Sequence, residues 1–158
     1  MSEIEIHLLQ IEQAFDHRSW HGPNLLGSIR GLKHPQAVWR PAAGRHSIWE
    51  NILHAAYWKS IAARRLREPP EEHFPRRGSN WFERTAANTP AELKEDIALL
   101  KETHEELLAV VREFDPKRLD RRRAGGESTF RDLIVGVAAH DVYHAGQIQL
   151  LKGLQKGS

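Results

Sequence analysis

Residues 133–148 read LIVGVAAHDVYHAGQI, a stretch with the pattern of a helix that buries one side. Apolar residues recur at helical spacing within it and beyond both its ends, on a single stripe: Phe130, Leu133, Val137, Ile148 and Leu151. His140 and His144 lie inside that stripe, four residues apart. Two buried imidazoles one turn apart are unfavourable unless each nitrogen has a partner, and one divalent metal ion can serve both. The stretch therefore predicts a core helix with two metal ligands.

The histidine pair has two other interpretations. A pair of hydrogen-bonded core histidines remains an alternative, although no acidic partner lies on the same face. The pair also flanks Asp141 in the outline of a zinc protease helix, where a glutamate stands between two ligands. Aspartate is shorter, however, and on a helical wheel Asp141 lies away from His140. No residue able to bind zinc follows His144, where such proteases find their third ligand, so a protease is disfavoured.

A third side-chain ligand must therefore come from earlier in the chain. His54, on a helix that follows Ser47, is one candidate, although it lies off the strongest apolar arc of that helix. His104, in the middle of the third apolar stripe, is the other. Spacing alone leaves both open, with His104 more simply explained as a hydrogen-bonded core residue. His17 and His21 repeat the four-residue spacing, but at a helix end, where a metal role is not expected.

Periodicity and end signals predict four helices. The first carries Ile4, Leu8, Ile11 and Phe15 and should stop before Gly22-Pro23. The second runs from Ser47 to about Leu66, before Pro69-Pro70. The third opens at Thr89-Pro90 and ends at Asp115-Pro116, and the fourth is capped within residues 128–132. Ser47 and Glu50 have the spacing of a capping box. Glu50 is therefore first a capping residue, and second a candidate to support or bind the metal.

Four amphipathic helices without an alternating strand predict an all-α protein, a four-helix bundle formed by a single domain over residues 1–158. Two connections are long. Residues 22–46 should contain a short extra helix around Leu25–Leu32, and residues 67–88 carry Trp81. Long connections often cover functional sites, so Trp81 is predicted to line a pocket.

Composition excludes several classes of function. The chain has no cysteine, which rules out thiolate metal sites, disulfides and a protein thiol nucleophile, so any thiol chemistry needs an external thiol. Its net charge is only +2 and its basic residues are scattered, which argues against a nucleic-acid partner. No apolar run reaches the roughly 20 residues of a membrane span. The expected protein is cytoplasmic and acts on a small molecule, and the sequence leaves its oligomeric state open, a homodimer included.

Three parts of the chain together resemble the DinB/YfiT-like superfamily: SIWENILHAAYW at residues 47–58, the loop with Trp81, and HDVYHAGQI at residues 140–148. The resemblance spans nearly the whole domain. It implies a four-helix bundle in which one histidine of the second helix and two of the fourth hold a metal. By matching positions these ligands are His54, His140 and His144, which places His104 in the pocket wall or the core.

The resemblance also bears on activity. Characterised relatives include S-transferases that use bacillithiol, mycothiol or glutathione, and a maleylpyruvate isomerase with a thiol cofactor. We therefore expect a metal-dependent enzyme that transfers an external thiol of low molecular weight to a small electrophile, with nickel, zinc, iron and manganese all open as the metal. The alternatives are a metal-dependent hydrolase and a non-catalytic stress protein that binds a metal or small molecule. Asp141, Tyr143 and Gln147 are candidates to orient ligands or water, and no catalytic base is assigned.

Overall fold

A computed structural model describes residues 1–67, 74–123 and 125–157. These residues form six α-helices: α1 (Glu3–Phe15), α2 (Leu25–Ser28), α3 (His34–Val38), α4 (Ile48–Leu66), α5 (Pro90–Arg112) and α6 (Phe130–Lys156). A 3-10 turn at Pro116–Arg118 follows α5, and an isolated bridge between Arg122 and Thr129 is the only β-type pairing within the described ranges. The prediction of an all-α fold is confirmed. Pro69-Pro70, expected to end the second long helix, lies outside the described residues.

The long helices begin at local signals that are visible in the sequence. Ser47 caps α4 by accepting a hydrogen bond from the Glu50 amide, and the Glu50 carboxylate accepts one from the Ser47 amide at 2.9 Å. The same reciprocal box starts the other three long helices, formed by Ser2 with Glu5, Thr89 with Glu92, and Thr129 with Asp132. Each box satisfies amide groups that a helix start would otherwise leave without partners.

The four long helices contact one another in a closed cycle. α4 packs against both α5 and α6, and α1 closes the cycle by packing against the same two helices. This arrangement is compatible with the predicted four-helix bundle. It also places the histidine-bearing faces of α4 and α6 against each other.

The connection between α1 and α4 holds two short helices, of which the sequence predicted one. α2 forms only the first half of the predicted segment, which extended to Leu32, and it packs against α1 and α6. α3 packs against α4, and the sequence reasoning did not predict it. Both short helices therefore cover the bundle rather than extend it.

The core consists of two apolar clusters. One surrounds Trp49 and Ile52 of α4, and the other surrounds Leu107 and Val111 of α5. On α4 the buried residues of the first cluster end at Ala56, and those of the second begin at Ala62. Between the two clusters, α4, α5 and α6 each carry a buried polar residue: Lys59, His104 and Asp141, respectively. A buried polar layer thus separates the two halves of the core.

None of the helices in the described part of the chain is both long and apolar enough to cross a membrane.

Candidate metal centre

Three imidazoles converge where α4 faces α6. His140 Nε2 lies 3.1 Å from His54 Nε2 and 3.0 Å from His144 Nε2. His54 and His144 are buried, at 6% and 2% exposure. Among the residues that the structure describes, this is the only group of three or more potential ligands close enough to share one metal ion. Two imidazole nitrogens that bind one ion at about 2.0–2.1 Å lie roughly 3–3.4 Å apart, so the observed spacing suits a shared ion.

Hydrogen bonds on the far side of two rings set their tautomers. His54 Nδ1 donates to the carbonyl oxygen of Asn80 at 2.8 Å, and His144 Nδ1 donates to Asn51 Oδ1 at 2.7 Å. A carbonyl oxygen can only accept, so in each neutral ring the proton is on Nδ1 and the Nε2 lone pair faces the centre. His140 could donate one proton to one of these lone pairs, whereas a cation would satisfy all three nitrogens. The donor set therefore fits a divalent ion.

The surroundings keep these imidazoles neutral. Burial, together with the smaller effect of neighbouring histidine charge, lowers the pKa of His144 to about 3 and that of His140 to about 4. The pKa of His54 is also lowered, chiefly by burial and partly opposed by its bond to Asn80. Neutral imidazole is the form that binds a metal, so all three residues are ready to act as ligands at neutral pH.

The two asparagines that support the rings were missed by sequence reasoning. Asn51 lies on α4 three residues before His54, on the same face. Its side-chain amide nitrogen donates to the Ser47 carbonyl at 2.8 Å. Asn80 has a φ of 64°, the left-handed region that asparagine tolerates better than most residues. Its side chain accepts from Trp58 Nε1 at 2.9 Å, which holds the carbonyl toward His54. A polar residue one turn from a ligand was the available signal for Asn51.

Replacing Asn51 with leucine is expected to weaken metal binding by about 10–100-fold, the usual cost of losing a group that orients a ligand. The His144 Nδ1 proton would then be buried without an acceptor. Zinc affinity, measured by competition with a chromophoric chelator, checks this result. Asn51→Asp is the comparison variant, since it keeps an oxygen acceptor for His144 but loses the donor to Ser47, and its zinc affinity should exceed that of the leucine variant. Equal affinity of the leucine variant and the wild type would contradict the role.

A cavity of about 560 Å³ opens onto the three histidines. Trp81 forms part of its wall and stacks on His54 with ring centroids 3.8 Å apart and planes 9° apart. His46 stacks on the opposite face of Trp81 at 3.5 Å, so the loop before α4 and the loop after it meet across this indole. A volume of this size suits a small organic molecule.

The structure places the remaining candidate residues in three kinds of surroundings. Tyr143 and Gln147 line the cavity and bond to each other at 3.1 Å. Glu50 is buried in its capping box, where it pairs with Arg40 rather than with a histidine of the cluster. His17 lies outside the centre and bonds to Asp16.

Asp141 and His104 lie in the buried polar layer and not at the cavity. Asp141 is fully buried and pairs with Lys59, whose Nζ also lies 3.3 Å from His104 Nδ1. Burial raises the pKa of Asp141 to about 6, although the Lys59 charge opposes the rise. Burial and the same lysine lower the pKa of His104 to about 3, so this imidazole is neutral and accepts from Lys59 while stacking on Phe15 at 3.7 Å.

The metal-free protein is expected to lose stability as the pH falls from about 6.5 toward 4. The unfolded chain takes up protons on its histidines in this window, whereas His140, His144 and His104 resist protonation while folded. Asp141 offsets part of the loss, because its raised pKa makes the folded state bind a proton first. Urea unfolding of chelated protein near pH 7 and pH 5 measures the change. His104→Gln should flatten the decline; stability that rose on acidification would refute the expectation.

Three imidazoles thus converge beside a cavity in a helical bundle. This arrangement defines the class of the protein as all-helical with a candidate metal centre. The family model described as the DinB superfamily matches residues 19–148 of the 158-residue chain. The chain therefore belongs to the DinB superfamily, as its motifs suggested. Comparisons with curated proteins and with solved structures found no match.

Proposed function

We propose that His54, His140 and His144 hold one divalent metal ion, and that the protein is a metal-dependent enzyme that transfers a thiol of low molecular weight to a small electrophile. The observation that carries the proposal is the set of three imidazole nitrogens that lie close enough together to share one ion, on the wall of a 560 Å³ cavity. We also infer that residues 1–158 form one domain.

The composition of the site supports a catalytic role. Three protein ligands leave coordination positions open, unlike a closed structural site with four. An ion bound there would lower the pKa of a thiol or water bound beside it, supplying a nucleophile at neutral pH. Imidazole ligands suit zinc, nickel and iron, with manganese less favoured by an all-nitrogen set.

The cavity walls supply places for two reactants. The indole of Trp81 and the side chains of Leu150 and Leu151 provide apolar surface for an acceptor. Tyr143 and Gln147 provide polar groups on the wall. In the proposed reaction the thiol proton leaves to solvent, a carbon–sulfur bond forms at the electrophilic carbon, and the leaving group departs with its bonding electron pair. Since the chain has no cysteine, the sulfur must come from a second small molecule.

An activity screen tests this function. Protein loaded separately with zinc, nickel, iron or manganese would be assayed with several small thiols and a haloalkyl acceptor, and the chelated protein would serve as the blank. We expect metal-dependent product formation above the uncatalysed rate. If no thiol supports turnover with any of the four metals, the non-catalytic binding protein becomes the better assignment, and ester or amide hydrolysis without thiol would favour a hydrolase.

Trp81→Ala is expected to raise the KM for the acceptor several-fold while metal content stays unchanged. The substitution removes apolar cavity wall, worth roughly 25 cal/mol per Å² of lost contact, but no ligand atom. Trp20→Ala is the matched control, since Trp20 is fully exposed at 101% and lies outside the cavity. An unchanged KM in the Trp81 variant would place the acceptor elsewhere.

A further inference from the structure

Three arginines near the start of α4 form ion pairs with two buried carboxylates. Arg40 donates to Glu50 at 2.5 Å. Arg76 and Arg84 bind opposite oxygens of Asp96 at 2.8 and 2.9 Å. Glu50 and Asp96 are only 3% and 1% exposed, so these ion pairs are part of the packed interior.

Arg45 belongs to the same region but has no such partner. Its side chain is exposed and lines the cavity, and the described part of the chain supplies no carboxylate within ion-pair distance of it. Its backbone is nevertheless held, because its amide donates to the Ala42 carbonyl at 3.2 Å and its carbonyl accepts from Arg40 at 2.6 Å. Arg45 thus places a positive charge at the cavity wall, on a backbone that hydrogen bonds hold in position.

The cavity offers this cation no counter-charge. None of its lining residues in the described ranges is an aspartate or glutamate. The neighbouring His46 differs from Arg45, because its Nδ1 lies 3.4 Å from Glu50 Oε2 and its ring is covered by Trp81. A divalent ion on the three neutral histidines would add further positive charge to the same space. An anion entering the cavity would therefore be attracted both by Arg45 and by the ion on the three histidines.

We propose that Arg45 binds a carboxylate of a small molecule in this cavity, so that one reactant of the thiol transfer is a carboxylic acid. That the bound carboxylic acid is a reactant rests on the proposed function, whereas the anion site itself rests on Arg45 and the cavity. A guanidinium matches a carboxylate with two parallel N–H donors, which gives orientation as well as affinity. The carboxylate would be anchored at Arg45 while the remainder of the molecule extends toward the histidines.

The carboxylate could belong to the thiol or to the acceptor, and two pairs of probes separate these cases. The thiol pair is 3-mercaptopropionate and its methyl ester, titrated calorimetrically into the zinc-loaded protein. The acceptor pair is iodoacetate and iodoacetamide, each supplied with 2-mercaptoethanol; the thiol sulfur displaces iodide in both, and rates are corrected for the uncatalysed reaction. Each pair differs in charge at nearly constant size.

In the wild-type protein we expect the anionic member of one pair to be preferred by about tenfold or more, as for a hydrogen-bonded charge. Arg45→Met should abolish the preference without changing zinc content. Arg18→Met is the matched control, because it removes one exposed positive charge outside the cavity and should keep the preference. Raising the salt concentration should reduce the preference in the wild type and in the Arg18 variant, and should have no effect in the Arg45 variant, which has no preference to lose.

Equal use of acid and neutral probe in both pairs, failure of every anionic probe to bind or react, or a preference that survives Arg45→Met would overturn the assignment. These results are distinct from failure of the proposed function. Tighter binding of 3-mercaptopropionate, with no turnover of any thiol in the activity screen, would retain the anion site and refute the transferase. Turnover that ignores the carboxylate would retain the transferase and refute the role of Arg45.

Discussion

Replacing His54, His140 or His144 with alanine is expected to weaken zinc binding by more than about a hundredfold, since losing a group that merely orients a ligand already costs about 10–100-fold. Each substitution removes one of the three nitrogens that lie close enough together to bind one ion. Zinc content after loading and dialysis, measured by mass spectrometry and expressed per chain, checks the prediction.

Controls for this experiment are present in the same chain. His17 and His21 have the spacing of His140 and His144 but lie outside the cluster, so alanine at either position should leave zinc content unchanged. His104→Ala should also retain zinc, although loss of its packing against Phe15 should lower stability. If His104→Ala abolished binding and His54→Ala did not, the third ligand would have been misassigned.

The buried pair of Lys59 and Asp141 should produce the largest effect on stability. Both side chains are completely inaccessible to solvent. Removing one partner of such a pair leaves an unpaired buried charge and typically costs about 3–5 kcal/mol. Lys59→Met is therefore expected to lower the free energy of unfolding by about that amount, with protonation of Asp141 limiting the loss. Urea denaturation of the chelated protein measures it without a contribution from metal.

The double variant Lys59→Met with Asp141→Leu distinguishes loss of pairing from loss of volume. Replacing both members of a buried pair with apolar residues of similar size is often neutral, so the double variant should recover most of the stability. Arg131→Met is a control for ion pairs in general, because its bonds to Asp120 and Glu3 lie at the surface and should matter far less. Single and double variants that were equally unstable would indicate a packing defect instead.

The helix boundaries were predictable because their causes are local. Ser47 and Glu50 begin α4, and Thr89 begins α5, through bonds between residues three apart in sequence. The i, i+4 relation of His140 and His144 is equally local, since one helical turn brings the two rings to 4.3 Å between centroids. Such features need no knowledge of how the helices pack.

His54 shows where local reasoning ends. On a helical wheel it lay off the main apolar arc, and only the family resemblance favoured it over His104. The structure buries nearly every face of α4, because α3, α5 and α6 all contact this helix. A wheel that assumes one buried face cannot rank residues on a helix surrounded by neighbours.

Sequence patterns predicted the all-α class, the starts of α4, α5 and α6 and the two histidines on α6, because each follows from contacts within a few residues. The convergence of His54 on that pair, the Asn80 carbonyl behind it and the burial of Lys59 against Asp141 follow from packing. These contacts join residues 86, 26 and 82 positions apart, respectively. No local period encodes such distances, since they depend on which faces of α4 and α6 meet once the apolar stripes are buried.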